Sequence, residues 1–262
     1  MSTSRVVAHP DADAVAQVTA ARLVVRLVDL QSVRTPVHVV LTGGTVGIGV
    51  LAALRDHPGR DAIDWSGVHL WWGDERFLPS GHPDRNETQA RGALLDELAP
   101  LLPAANVHPF PAAGSDGITS AEDAAAAYAA ELAAHATVGA PRPAVPPFDV
   151  VLLGMGPDGH VASLFPGNTA ELASGATVVA VHDAPKPPPD RVSLTNEAIC
   201  VAEAVWLVVA GAEKAPSVAA ALAGAALPAA RVRGQVSTLW LLDAAAAAEI
   251  AVPAPSSTPS PS

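Results

Sequence analysis

The chain has one cysteine in 262 residues, two lysines, and an aromatic content of only 4%. With Cys200 alone, no internal disulfide can form, and a reducing cytoplasm is the natural compartment. Its apolar neighbours make Cys200 an inert core thiol by expectation. No apolar run approaches the roughly 18 residues that span a bilayer, so no membrane partner is expected. The opening residues are too short and too polar a stretch for a secretory signal. Positive charge is scarce as well. A net charge of −11 argues against nucleic acid as a partner, because nucleic acid demands a basic face. Half the residues are apolar, so Ala, Val and Leu must build the core in place of aromatics. The length suits one large α/β domain, here residues 1–251, followed by a Pro/Ser-rich tail at 252–262 that is expected to be disordered.

What is present alternates helix and strand from end to end. An amphipathic helix is read at 11–31, strands at 37–41 and 68–72, and a short helix between them. Asn86 is placed as the N-cap of a helix at 87–98, which Pro100 and Pro103 terminate. A short strand is expected at 106–110, an Ala-rich helix at 119–137, and a proline-rich connector at 141–147. The remaining strands fall at 148–153, 177–181, 191–194, 205–209 and 238–242, with helices at 214–222 and 243–250. Val- and Leu-rich strands between helices imply a mostly parallel sheet covered on both faces. In such sheets ligands bind beyond the carboxyl ends of the strands.

Four strands end in a glycine-containing turn followed at once by polar groups. They are Leu41-Thr-Gly-Gly-Thr45, Trp72-Gly-Asp-Glu-Arg76, Leu153-Gly-Met-Gly-Pro-Asp-Gly-His160 and Val209-Ala-Gly-Ala-Glu-Lys214. A parallel sheet brings all four to one edge. The backbone of Thr42, Gly43, Gly44 and Thr45 opens a helix and offers N–H groups to an anion. Asp74 and Arg76 crowd charge at a strand end. The third turn formally matches a dinucleotide fingerprint, but Pro166-Gly167 breaks any helix that follows, and Asp158 would repel a pyrophosphate; nicotinamide binding is rejected. What remains is Asp158 two residues before His160, a side chain able to take a proton from water at neutral pH. No His, Cys or Asp spacing resembles a zinc or iron site, so no metal is expected. Against thirteen arginines, Lys186 and Lys214 are the two lysines of the chain. Lys186 and Arg191 bracket a proline segment whose extended geometry would let them flank a ligand. Lys214 opens a helix, where its charge opposes the dipole unless an anion is bound.

Together these residues resemble the 6-phosphogluconolactonase family. That family carries a Ser/Thr-Gly-Gly-Ser/Thr turn, a Gly-Asp-Glu-Arg strand end, and Gly-Met-Gly-x-Asp-Gly-His before Ser-Leu-Phe-Pro. It also carries Pro-Lys-Pro-Pro-x-x-Arg and a late Gly-x-x-Lys, and all five occur here in that order, over about residues 5–250. One departure is Val46-Gly47 where the family has Thr-Pro. The resemblance implies a three-layer, modified Rossmann-like α/β sandwich, shared with glucosamine-6-phosphate deaminase and ribose-5-phosphate isomerase. It also implies cofactor-free hydrolysis of 6-phospho-D-glucono-1,5-lactone in the pentose phosphate pathway, by a cytoplasmic monomer or small homo-oligomer. His160 would be the general base, with Asp158 or Asp74 orienting it or the water. Arg76, Lys186, Arg191 and Lys214, with the Thr42–Thr45 backbone, would hold the phosphate and the developing oxyanion. Two rivals are an amino-sugar-phosphate deaminase, whose family has Asn-Glu-Pro where this chain has Leu164-Phe-Pro166, and a non-catalytic sugar-phosphate sensor. In the first case Glu171 is the nearest following carboxylate; the second would need a DNA-binding module, and only one helix precedes Val37.

Overall fold

The computed structural model describes residues 3–137, 139 and 143–250. Six strands form a parallel sheet: β1 (Thr3–His9), β2 (Val37–Leu41), β3 (Val68–Trp72), β5 (Phe148–Leu153), β8 (Ala204–Val209) and β9 (Ser237–Asp243). Their spatial order is β1-β9-β8-β5-β2-β3. Every residue of β2, β5 and β8 is buried, as apolar strands covered on both faces must be. The helix α1 (Ala12–Gln31) packs on α2 (Gly44–Arg55) and against the sheet. Asp11 caps α1 by accepting the Ala14 N–H at 2.8 Å.

A second, antiparallel sheet of three strands joins β4 (Asp74–Arg76), β7 (Arg191–Leu194) and β6 (Val178–Val181), in the order β4-β7-β6. The strands expected at 177–181 and 191–194 therefore form, but outside the parallel sheet. Here β4 continues β3 past Gly73, and Arg76 lies opposite Arg191. The Ala-rich helix α5 (Ala121–Ala134) covers β6 and β7, started by a reciprocal capping box of Ser120 and Asp123.

Several expectations need correction. Asn86 is not an N-cap: it is the first residue of α3 (Asn86–Ala90), which runs through a π-helical turn, Arg91–Leu95, into α4 (Asp96–Leu98). The capping comes from a distant residue, Glu75, whose carboxylate accepts the Asn86 and Glu87 N–H groups at 2.6 and 2.9 Å. That frees the Asn86 side chain for other work. The stretch 106–110 makes only an isolated bridge from Val107 to Leu70. The helix expected at 243–250 is a series of turns, opened by the Asp243 carboxylate, which accepts the N–H groups of both Ala246 and Gly211. β1 had no strand signal, being polar and mostly exposed; its register with β9 makes it a strand. Three short or medium helices complete the fold: α6 (Asn196–Ile199), α7 (Ala215–Leu222) and α8 (Pro228–Arg231). The tail 252–262 lies outside the described residues, as does part of the connector at 141–147. No described helix is long and apolar enough to cross a membrane. Cys200 is half-buried, and burial raises its thiol above the ordinary range, in keeping with an unreactive group.

Candidate active site

All four strand-end turns and the Lys186–Arg191 segment converge on one cavity of about 380 Å³ at the carboxyl edge of the sheet. Its lining holds four cations, Arg76, Lys186, Arg191 and Lys214, against two carboxylates, Asp74 and Glu213. A chain of net charge −11 thus builds one locally cationic hollow.

His160 lies in the wall. Its Nδ1 is 2.5 Å from Asp158 Oδ1, and its ring packs on Phe165 at 4.5 Å between centroids. Partial burial pushes the Asp158 carboxyl up, but the His160 hydrogen bond and charge outweigh it and hold the group below its usual range. With Nδ1–H given to the carboxylate, the lone pair of the neutral ring is on Nε2. Gly156 leaves the His160 pair its place: a Cβ on it would run into both the His160 ring and Asp158, and they would have to shift. After Gly159 the chain makes turns and isolated bridges, not a helix, which agrees with the rejection of a dinucleotide site.

Asp74 sits apart from this pair. Its Oδ2 accepts the Ser163 hydroxyl at 2.6 Å, and its Oδ1 faces the Asn86 amide nitrogen at 3.3 Å. The Asn86 oxygen in turn accepts from Arg76 Nη1 at 2.8 Å. Behind them Glu75 is buried, and burial pushes it up to about 7 despite Arg85 and three backbone N–H donors. Of the two carboxylates, Asp158 hydrogen-bonds the imidazole, while Asp74 holds Ser163 and faces Asn86.

The cations differ in setting. Lys186 is exposed, whereas Arg191 is only 6% exposed and lies over the Phe165 ring at 5.4 Å. The segment between them is not an extended spacer. Arg191 donates to the carbonyls of Lys186 (2.9 Å), Pro187 (3.4 Å) and Pro188 (3.3 Å), so the chain folds back around the guanidinium. Burial lowers the Arg191 pKa. Lys214 is the N-cap residue of α7, as its sequence position implied. Burial lowers its pKa, with Glu213 and Asp243 pulling the other way. Across the cavity α2 begins at Gly44 without a side-chain cap, leaving its first N–H groups unclaimed by any capping side chain. Thr42 is buried and its hydroxyl accepts the Gly154 N–H at 3.2 Å, so it ties two turns together at the edge of the cavity. Val46 and Gly47 continue the helix, and a Cβ on Gly47 would meet the Thr42 carbonyl at 2.7 Å.

Sequence reasoning missed Asn86, Ser163, Glu213 and Phe165. Asn86 carried a signal that pointed to a cap; Ser163 and Phe165 stood in the motif but offered no hint of contact with Asp74 or Arg191.

Residues 10–240 match the family model described as glucosamine-6-phosphate isomerases/6-phosphogluconolactonase. The chain belongs to this family. It is 53% identical to a 6-phosphogluconolactonase of Streptomyces coelicolor, over 95% of each chain. A 6-phosphogluconolactonase of Mycobacterium tuberculosis is 45% identical over 95% of this chain and 99% of its own. Among solved structures, the 6-phosphogluconolactonase of Trypanosoma brucei superposes with a TM-score of 0.82 at 31% identity, covering 96% of this chain and all of that one. The α/β class with a mostly parallel central sheet is thus common to sequence reading, structure and relatives.

Proposed function

We infer that this chain, acting as one α/β domain, hydrolyses 6-phospho-D-glucono-1,5-lactone to 6-phospho-D-gluconate in the oxidative pentose phosphate pathway. Relatives named for that activity support the reaction, at 45–53% identity over nearly the whole chain. The observation that supports the mechanism is the Asp158–His160 pair in the wall of a cation-lined cavity.

A δ-lactone is an activated ester with no amine to expel, so one base and one water suffice. His160 Nε2 takes a proton as water attacks the lactone carbonyl, and Asp158 stabilises the resulting imidazolium. The carbonyl oxygen gathers negative charge, which the nearby cations and the open N–H groups of α2 offset. Collapse breaks the ring C–O bond, and the departing ring oxygen recovers the proton from His160. Arg191, Lys186 and Lys214 hold the phosphate; Arg76, braced by Asn86, and Asp74 shape the sugar end. No cofactor is needed for this sequence of steps, and the cytoplasm is the expected compartment.

Deamination of an amino-sugar phosphate fits less well. Glu171, the carboxylate that follows the turn, accepts the Gly167 N–H at 2.8 Å and pairs with Arg231 at 2.9 Å, so it is committed elsewhere. β1 and α1 belong to the core sheet and its cover, so neither is free to act as a DNA-binding module for a sensor. The test is a coupled assay on freshly generated 6-phosphogluconolactone, corrected for spontaneous hydrolysis, beside glucosamine 6-phosphate. Turnover of the lactone alone is expected; ammonia release without lactone turnover would overturn the reading.

A further inference from the structure

Away from the cavity, a second group of titratable side chains gathers on one face of β3. His69 and Trp71 are two residues apart on that strand and so share a face. His108 stacks on Trp71 with centroids 3.8 Å apart, and His135, the C-cap residue of α5, stands edge-on to Trp71 at 5.2 Å. One ligand nitrogen from each of His69, His108 and His135 falls within 4.8 Å of the other two.

The hydrogen bonds decide which nitrogens carry protons. His135 Nδ1 is 3.0 Å from the Glu131 carbonyl oxygen, which can only accept, so that nitrogen is the donor. His108 Nδ1 is 2.6 Å from the Glu131 carboxylate, so it too is the donor, and its Nε2 carries a lone pair. His69 Nδ1 approaches that Nε2 at 2.9 Å. Glu131 thus fixes two rings at once, with its side chain and its backbone, and leaves the Nε2 of both unprotonated. A carboxylate or carbonyl behind each ring is the support that metal-ligating histidines characteristically have.

We propose that His69, His108 and His135 form a binding site for a divalent transition metal ion of the zinc class, separate from the lactone cavity. The donors are His108 Nε2, His135 Nε2 and His69 Nδ1, the last after its proton moves to Nε2 of the same ring, with water as a fourth ligand. Imidazole nitrogens suit zinc, copper, nickel and cobalt. Zinc–nitrogen bonds of about 2.0–2.1 Å put ligand nitrogens roughly 3.3 Å apart in a tetrahedral site. The 2.9 Å pair has to open slightly, and His135, half-exposed on a helix end, has to swing in by at most about 1.5 Å from the 4.8 Å limit. Half-exposure of His69 and His135 gives the ion an entry path, while buried Trp71 and His108 form a dry floor. His38, whose Nδ1 accepts the Trp71 indole N–H at 3.2 Å, lies alongside with its pKa pressed to about 3 by burial and by the other three rings; it stays outside the ligand set.

This site does not depend on the reading of the cavity. The experiment is calorimetric titration of the chelator-stripped full chain with Zn²⁺, with Co²⁺ absorption as a second readout, in wild type and variants. One equivalent of Zn²⁺ is expected, with a raised melting temperature and d–d bands of a nitrogen-rich four-coordinate Co²⁺ ion. His69→Gln and His135→Gln should each abolish the uptake, and the metal-free variants should melt near the metal-free wild type. Glu131→Gln should weaken binding by about 10–100-fold, the usual effect of losing such a support. His160→Asn should bind Zn²⁺ as wild type does, and His135→Gln should hydrolyse lactone at the wild-type rate. No saturable uptake, uptake unchanged in both His69→Gln and His135→Gln, or uptake lost in His160→Asn would each overturn the proposal.

Discussion

His160 and His108 each hand Nδ1 to a carboxylate, at 2.5 and 2.6 Å, yet their other nitrogens meet different worlds. The far nitrogen of His160 belongs to a ring lining an open cavity walled by cations. That of His108 meets a second imidazole, under a tryptophan, in a nearly sealed position. The carboxylate–histidine pair is therefore not itself a catalytic device. It fixes a tautomer; what the opposite nitrogen faces decides whether the ring moves protons to a substrate or holds something in place.

The sharpest way to break this contrast is to remove each ring. His160→Asn is expected to lower kcat by about 10²–10⁴-fold, the usual share of a general base. His108→Asn is expected to keep wild-type kcat but melt at lower temperature, because it strands Glu131 and His69. Steady-state kinetics and thermal melts on both variants check this; equal losses of turnover would erase the distinction.

A second test leaves both rings in place and disturbs only position. Gly156→Ala puts a methyl where the His160 ring and Asp158 now lie, while its backbone is outside the left-handed region and accepts alanine. Displacing the base by an ångström or so costs about 10²-fold in kcat, with the melting temperature little changed. Wild-type kcat in this variant would mean that His160 need not be held where it is.

This cavity was the part of the molecule that the sequence made legible, and the reason is local. Asp158 and His160 lie two residues apart on one turn, and that turn, the Thr42–Thr45 turn, Asp74 and Lys214 each follow a strand end that the parallel sheet brings to the same edge. The antiparallel sheet was not legible, because β4 is three residues long and its pairing with β7 spans more than a hundred positions. Asn86 looked like a cap because the true cap, Glu75, arrives from a different strand. The histidine cluster left no trace either: His69, His108 and His135 come from a strand, a loop and a helix end, at spacings that match no ligand motif.

On the substrate side of the contrast, Lys186→Ala and Arg191→Ala should each raise KM by about 10-fold or more, as for a hydrogen bond to a charged group. Both should lose much of the preference for phosphorylated over unphosphorylated gluconolactone. Exposed Lys186 can go without cost to the melt, whereas Arg191→Ala should also lower it, since three carbonyls lose their donor. Unchanged KM and preference in both variants would move the phosphate elsewhere.

The smallest effect is expected at a third histidine of this type. His182 lies between Asp190 and Glu122, at 2.7 Å from each, out in solvent. The Asp190 hydrogen bond, then that of Glu122, raises its pKa above 6.5. A raised folded-state pKa adds stability that is complete below the unfolded value and is lost as pH rises through the folded one. The melting temperature of His182→Asn should therefore trail wild type slightly at about pH 5.5 and match it near pH 8.5. A gap that widens with pH would contradict the assignment.

The pairing of β1 with β9 carries a consequence for biosynthesis. Thr3 lies opposite Ser237, so β1 waits during synthesis for β9, more than two hundred residues later, before it has a partner. The cavity waits almost as long, since Lys214 follows β8, the strand that pairs with β5 and β9. Contacts this distant in sequence slow folding. A nascent chain halted before residue 214 would hold the Asp158–His160 pair without its last cation, and β1 would remain an unpaired sticky edge for a chaperone to shield.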